Sequence, residues 1–324
     1  MSIFQKISSN PVLKWSIALL ACILLITIGI KNRPESIPTF NPYGIIHINF
    51  RLSKSIMLFL SLVLTYIIYQ IILKIDLEHR YTEKSRFILA LTFFLVLFSF
   101  PEILYHSNGF VVTLIIIISV KYLLKIHNQD SVLKLIFRAS FLGSLASLIF
   151  FPVIIYLLVI FGSIAVFRPF NLKNYLLAII AWSLPYFYLF SFSYLLDWNL
   201  DIPFKSVFNQ SLLTMSNQRF ALNTINYILN SGLVLLAIIA LLANFSIKQN
   251  LIVRKRIELS ILFFSTILFA ILSLLFGINS FLILSCSMGC IFIALYYHSF
   301  NKKWIIESIF IVLLLLSIGS HLFI

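Results

Sequence analysis

The chain has 324 residues, 61% hydrophobic and 10% charged, with a formal net charge of +14 and a mean hydropathy of +1.06. A soluble domain carries roughly 25% charged residues, so this composition excludes a water-soluble globular protein and fits an all-α polytopic integral membrane protein. The basic excess belongs in loops beside anionic headgroups, not on a nucleic-acid surface.

The apolar runs are long and do not alternate, so the helix is the structure that satisfies the backbone in lipid. About eleven spans are expected, at roughly 14–30, 55–75, 87–101, 110–126, 134–149, 151–167, 175–196, 224–245, 259–277, 281–299 and 304–322. Residues 1–324 form a single transmembrane domain, because no polar stretch approaches domain size. The first run, Trp15 to Ile30 behind Lys6 and Lys14, has the look of a signal peptide. It ends TIGIKNRP without a small-x-small site, so it is expected to stay as an uncleaved first span.

A long loop comes next, at about 31–54. Pro34, Pro38 and Pro42 favour extended or turn structure. After Gly44, Ile46, Ile48, Phe50 and Leu52 alternate with polar residues as a strand does. Read as a helix, the same residues put His47, Arg51 and Lys54 on one face. Beside a membrane the helix is preferred, lying in the interface with its basic face towards water or headgroups. In the fourth span, Ile117 is expected to face lipid.

The most informative stretch runs from Leu133 to Tyr175. No charged residue lies between Arg138 and Arg168, too long a gap for one span of about 20 residues. It fits two short helices with the break at Phe150-Phe151-Pro152. These form either an internal hairpin around which other helices pack or an ordinary pair of spans. The first leg carries Ala139, Gly143, Ser144, Ala146 and Ser147, small residues that let helix backbones approach closely in a bilayer. A second long loop, about 197–223, is mildly polar, with Asp197 and Asp201 beside Trp198.

Charge sets the orientation. With the N-terminus cytoplasmic and the C-terminus periplasmic, the outer side holds only six basic residues: Lys31, Arg33, Arg51, Lys54, Lys205 and Arg219. All other Lys and Arg fall inside, the bias expected of an inner-membrane protein. Trp15, Trp198 and Trp304 fall at span ends, as an aromatic belt requires.

The carboxylates divide accordingly. Asp76, Glu78, Glu83, Asp130 and Glu258 are expected on solvated cytoplasmic surfaces, paired with neighbouring Lys and Arg. Glu307 lies just inside the last span, with no partner visible in the sequence. Glu35, Glu102, Asp197 and Asp201 lie outside, where any chemistry is expected. General acid–base work needs a carboxylate or histidine, which makes Glu35 and Glu102 the candidate catalytic residues. His47, Arg51 and Lys54 are the candidate lipid-phosphate-binding residues. The six histidines have no metal-ligand spacing and there is no P-loop, GxGxxG or GxSxG element, so no metal and no cofactor is expected. Cys22, Cys286 and Cys290 are expected to be packing residues.

The run FPEILYHSNGFVVTLIIIISVKYLLKIH, then FRASFLGSLASLIFFPVIIYLL and VFRPFNLKNYLLAIIAWSLPYFYLF, resembles an uncharacterised family of polytopic inner-membrane proteins from Bacteroidota. The segment ASFLGSLAS through RPFN is its most specific part, and the likeness implies no activity. Gly143, Ala146 and Pro152 also echo, more distantly, the small-residue hairpin of the GT-C glycosyltransferase membrane core. That resemblance implies eleven or more spans, interfacial helices in the first outer loop and a polyprenyl-phosphate sugar donor. GT-C enzymes place an acidic residue, often an Asp pair, in that loop. Here the loop offers Glu35 alone, with no DxD, ExD or DE pair.

Two functions are expected on these grounds. One is a non-catalytic subunit or a lipid or solute carrier of the cell envelope, with membrane lipids and a membrane protein as partners. The other is a GT-C-like glycosyltransferase at the periplasmic face.

Overall fold

The computed structural model describes residues 54–79, 81, 89–93, 107–128, 132–167, 171–197, 253–276, 279–299 and 311. Among these, every regular element is helical. The elements are α1 (Lys54–His79), α2 (Ser107–Leu124), α3 (Val132–Ile149), α4 (Tyr156–Phe167), α5 (Leu172–Leu195), α6 (Val253–Phe276) and α7 (Asn279–Ser299). Short 3-10 segments come after α2, at Lys125–Asn128, and after α3, at Phe151–Ile155. Three helices, α1, α3 and α5, are long and apolar enough to cross a membrane, and shorter apolar helices cover Gly109–Leu124, Phe151–Phe167 and Ile283–Leu295. The expected spans at 14–30, 224–245 and 304–322 lie outside the described residues, apart from Ile311.

Isoleucine, valine and threonine crowd these helices, although β-branched residues are mediocre helix formers in water. In an apolar environment the requirement to satisfy every backbone group overrides that preference. Hydroxyls add to it by bonding back to their own helix. Ser61 Oγ donates to the Leu58 carbonyl at 2.8 Å and Thr65 Oγ1 to the Ser61 carbonyl at 2.7 Å.

The side-chain contacts fix how the helices run. Glu78, near the end of α1, pairs with Lys121 and Lys125 at the end of α2, so α1 and α2 run in the same direction. The connection between them, of which the helical turn 89–93 is described, returns the chain. Ser144 meets Trp182 and Ser147 meets Tyr186, so α5 runs parallel to α3. Tyr156 stacks on Phe269 at 5.9 Å, while Gly162 faces Phe264, so α4 is antiparallel to α6. Ser265 meets Met288 and Phe263 meets Phe292, so α7 is antiparallel to α6.

Together these contacts bring the ends of α1, α2, α4 and α7 and the starts of α3, α5 and α6 to one end of the bundle, here called its base. The base carries Lys74, Lys121, Lys125, Lys134, Arg138, Lys173, Arg254, Lys255 and Arg256. Lys54 alone among the described Lys and Arg begins at the other end. The described Lys and Arg that the sequence assigns to one side of the membrane are thus gathered at one end of the bundle.

The break between α3 and α4 falls where the sequence places it. Phe150 is extended, at φ −141° and ψ 95°, and Pro152 sits in the first turn of the 3-10 segment. Phe150, Phe151 and Val153 are buried, so the turn is inside the bundle. From the base α3 climbs for 18 residues, about 27 Å. The return helix α4 has 12 residues, about 18 Å.

α3 is the central helix, packed against α2 on one side and α5 on the other. Leu135, Ile136, Ala139, Ser140, Gly143, Ser144, Ala146 and Ser147 are all buried, as expected of its small-residue face. At Gly143 the fit is closest: a Cβ there lies 2.6 Å from Trp182 Cζ3 and 2.9 Å from Tyr156 Cδ1. α5 buries Asn174, Ala178, Ala181, Trp182 and Pro185, a stripe at helical spacing. Its other faces expose Leu176, Ile180, Phe187 and Phe192, a surface suited to lipid. At its far end the Leu196 amide donates to the Phe192 carbonyl and Asp197 takes φ 52°, a left-handed residue that ends the helix.

One expectation fails here. Ile117 is buried, not lipid-facing. α2 packs against α1, α3 and α7, and this leaves that position no access to the surface.

Candidate functional site

Among the described residues, two clusters of linked polar side chains lie inside this apolar bundle. One stitches α3 to its neighbours. Ser119 on α2 donates to the Ala139 carbonyl at 2.8 Å and contacts the Tyr156 hydroxyl at 2.9 Å. Ser144 donates to the Trp182 carbonyl, next to the Ala181 carbonyl whose helical partner Pro185 removes. Ser147 meets the Tyr186 hydroxyl at 2.7 Å and also donates to the Ser144 carbonyl. These hydroxyls all bond to backbone or to one another, a pattern that holds helices together in an apolar medium.

The second set is ionisable and lies at the base. His79, the last residue of α1, places Nδ1 2.9 Å from Glu258 Oε2 on α6. Tyr81 donates its hydroxyl to the same oxygen at 3.0 Å. The His79 and Tyr81 rings stack, with centroids 5.4 Å apart and planes 6° from parallel. Glu258 is 1% exposed and His79 and Tyr81 are each 7% exposed. Two donors converging on one oxygen suit an ionised carboxylate, and we assign the imidazole proton to Nδ1 on that ground. His79 Nε2 then carries the lone pair, and that atom is buried with no hydrogen-bond partner among the described residues.

The charges around the cluster are arranged by element. Asp76, one turn before His79 on α1, is also buried. Glu78 turns the other way and takes Lys121 Nζ at 3.0 Å and Lys125 Nζ at 2.9 Å, one on each oxygen. Arg138 on α3 lies over the Tyr122 ring at 5.8 Å, within cation–π range. Glu78 thus behaves as the sequence leads one to expect. Asp76 and Glu258 do not: both are buried, and Glu258 is bonded to His79 and Tyr81 instead of standing on a solvated face. Sequence reading missed the pair because 179 residues separate its members. The one available signal was that Glu258 falls four residues beyond Arg254 on a helix that is apolar from Leu259 onward.

The outer-face candidates Glu35, Glu102, His47 and Arg51 lie outside the described residues, as do the strand or helix at 44–54 and the loop at 197–223 beyond Asp197. Lys54 is described in its backbone only, as the first residue of α1. Glu83, Asp130, Asp201 and Glu307 also lie outside. Cys290 is buried, with its thiol donating to the Ser287 carbonyl at 2.9 Å. Among the described residues no group of three or more His, Cys, Asp or Glu side chains could hold a metal ion.

Compared with known proteins, the chain matches no family model, no curated protein and no solved structure.

Proposed function

We propose that the chain is a multi-pass protein of the cell inner membrane that serves as a lipid or solute carrier, alone or as the non-catalytic subunit of a larger assembly. Eleven spans, a cytoplasmic N-terminus and a periplasmic C-terminus belong to this reading, and the base of the bundle is then its cytoplasmic end. The observation that carries it is the burial of His79 and Glu258 within the helix bundle. Ionisable side chains inside a membrane bundle are costly, and an apolar pair packs a scaffold at least as well. A protein that moves a ligand between helices has a use for them.

Polyprenyl phosphate fits as a lipid ligand: His47, Arg51 and Lys54 supply the phosphate contacts and the apolar tail runs between helices. A GT-C-like glycosyltransferase would use the same lipid with Glu35 or Glu102 as base. The described residues favour the carrier, because their buried ionisable groups lie at the base. α1 and α2 start at the opposite end, and Glu35 and Glu102 precede those starts in sequence.

Mass spectrometry of lipids and metabolites that co-purify with the full chain tests the carrier reading. One lipid or solute class enriched over the bulk membrane is the expected result, reduced by R51Q with K54Q if it is a phospho-lipid. Only bulk lipid in the purified protein overturns it. Loss of a glycan phenotype in E35Q or E102Q, with lipid still bound, moves the assignment to the glycosyltransferase.

A further inference from the structure

We propose that His79 is a proton-binding site, with Nε2 as the acceptor and Glu258 as the positioning residue that holds the ring. The inference deepens the carrier reading, in which proton binding supplies the coupling.

The geometry has the parts that proton acceptance needs. Glu258 Oε2 at 2.9 Å from Nδ1 fixes the tautomer and leaves the second nitrogen with its lone pair. Tyr81 donates to the same oxygen and stacks on the ring, so the imidazole is held in orientation and in plane. Among the described residues Nε2 has no partner, and it is shut off from solvent. An imidazole used only as a strut has no need of a buried nitrogen left unmatched, which costs about 1–3 kcal/mol. The same nitrogen in a site that loads and unloads a proton is the working atom.

The step is simple. A proton from water forms an N–H bond at Nε2 and no bond breaks in the protein. The Nδ1–H remains donated to Glu258, so a neutral imidazole beside a carboxylate becomes an imidazolium–carboxylate pair. The formal charge of the two side chains goes from one negative to none. Access requires the base to open around His79, because the nitrogen is closed in the described conformation. Among the described residues, the other charged groups and histidines that the surrounding elements bring to the base are Lys74, Asp76 and Glu78 on α1, Lys121, Lys125 and His127 at and after the end of α2, Lys134 and Arg138 on α3, Lys173 on α5, Arg254, Lys255 and Arg256 on α6, and His298 near the end of α7. Glu78, Lys121 and Lys125 are engaged with one another.

The test is nitrogen NMR of the full chain in lipid nanodiscs with histidine ring nitrogens labelled. The His79 signals are identified by their loss in H79Q or, if that variant does not fold, by their selective movement in Y81F. At about pH 8 the ring should show a protonated Nδ1 and a bare Nε2. On acidification to about pH 5 it should show two N–H groups. Glu258→Gln, which keeps an acceptor oxygen and removes the charge, should weaken the preference for the Nδ1–H tautomer. A His79 ring whose protonation state is the same at both pH values overturns the proposal, as does a resting tautomer with the proton on Nε2. The two readings fail separately. Proton binding with only bulk lipid co-purifying removes the carrier and leaves the site, whereas an enriched ligand with an unchanging His79 does the reverse.

Discussion

Gly143→Leu should leave almost no folded protein in the membrane, while glycine replacement one helix later should do the opposite. At Gly143 the first added carbon already sits 2.6 Å from Trp182 and 2.9 Å from Tyr156. Neither ring has room to retreat: Tyr156 is fully buried and hydrogen-bonded to Ser119, and Trp182 is buried in the α3–α5 contact. Overpacking of this kind costs about 1–3 kcal/mol and sometimes more, so Gly143→Ala should lower the thermal midpoint and Gly143→Leu should prevent assembly. At Gly162 the nearest atom to an added Cβ is Phe264 Cε1 at 3.8 Å, an ordinary contact. Gly162→Ala should therefore raise stability by roughly 0.5–1 kcal/mol through helix propensity. Ala165→Leu, at an exposed position, should be neutral. Fluorescence-detected size exclusion with a thermal ramp reads all four. Equal tolerance at Gly143 and Ala165 is incompatible with α3 as the close-packed centre.

Truncating Glu258 should cost nearly as much. Glu258→Ala takes away the oxygen that both His79 and Tyr81 donate to inside the bundle. Breaking a buried pair by removing one partner costs about 3–5 kcal/mol. Glu258→Gln keeps one acceptor oxygen and should lose less. Replacing both Lys121 and Lys125 by Gln, which strips the exposed Glu78 of these partners, should cost far less, since pairs near solvent are worth about 0–1 kcal/mol. The order Glu258→Ala, then Glu258→Gln, then the double lysine variant, in falling loss of thermal midpoint, is the expected result. Indifference to Glu258→Ala is incompatible with the buried cluster.

Local features of the fold were legible in the sequence. The break at Phe150-Phe151-Pro152 comes from proline, and the buried face of α3 from its run of small residues. Glu78 and its lysines were legible as a charged cluster at a span end. Ile117 was not, because lipid tails and a protein interior are equally apolar. An unbroken run of Ile and Val gives no sign of which side it faces. His79 and Glu258 were hidden for another reason. Each looks ordinary among neighbouring charges, and only the assembled base, where the end of α1 meets Glu258 on α6, takes them out of water together. Glu35, Glu102, His47 and Arg51 fall outside the described residues, so the outer-face site rests on sequence alone.

The bond between His79 and Glu258 also has a meaning during synthesis. The ribosome completes α1 through α5 long before α6 emerges, and those five helices already contain the α3 contacts that hold them together. Until the helix that starts at Val253 is delivered, His79 and Tyr81 face an unfilled seam that lacks the Glu258 carboxylate. A chain cut short before α6 therefore leaves both side chains without the oxygen to which they donate in the finished bundle.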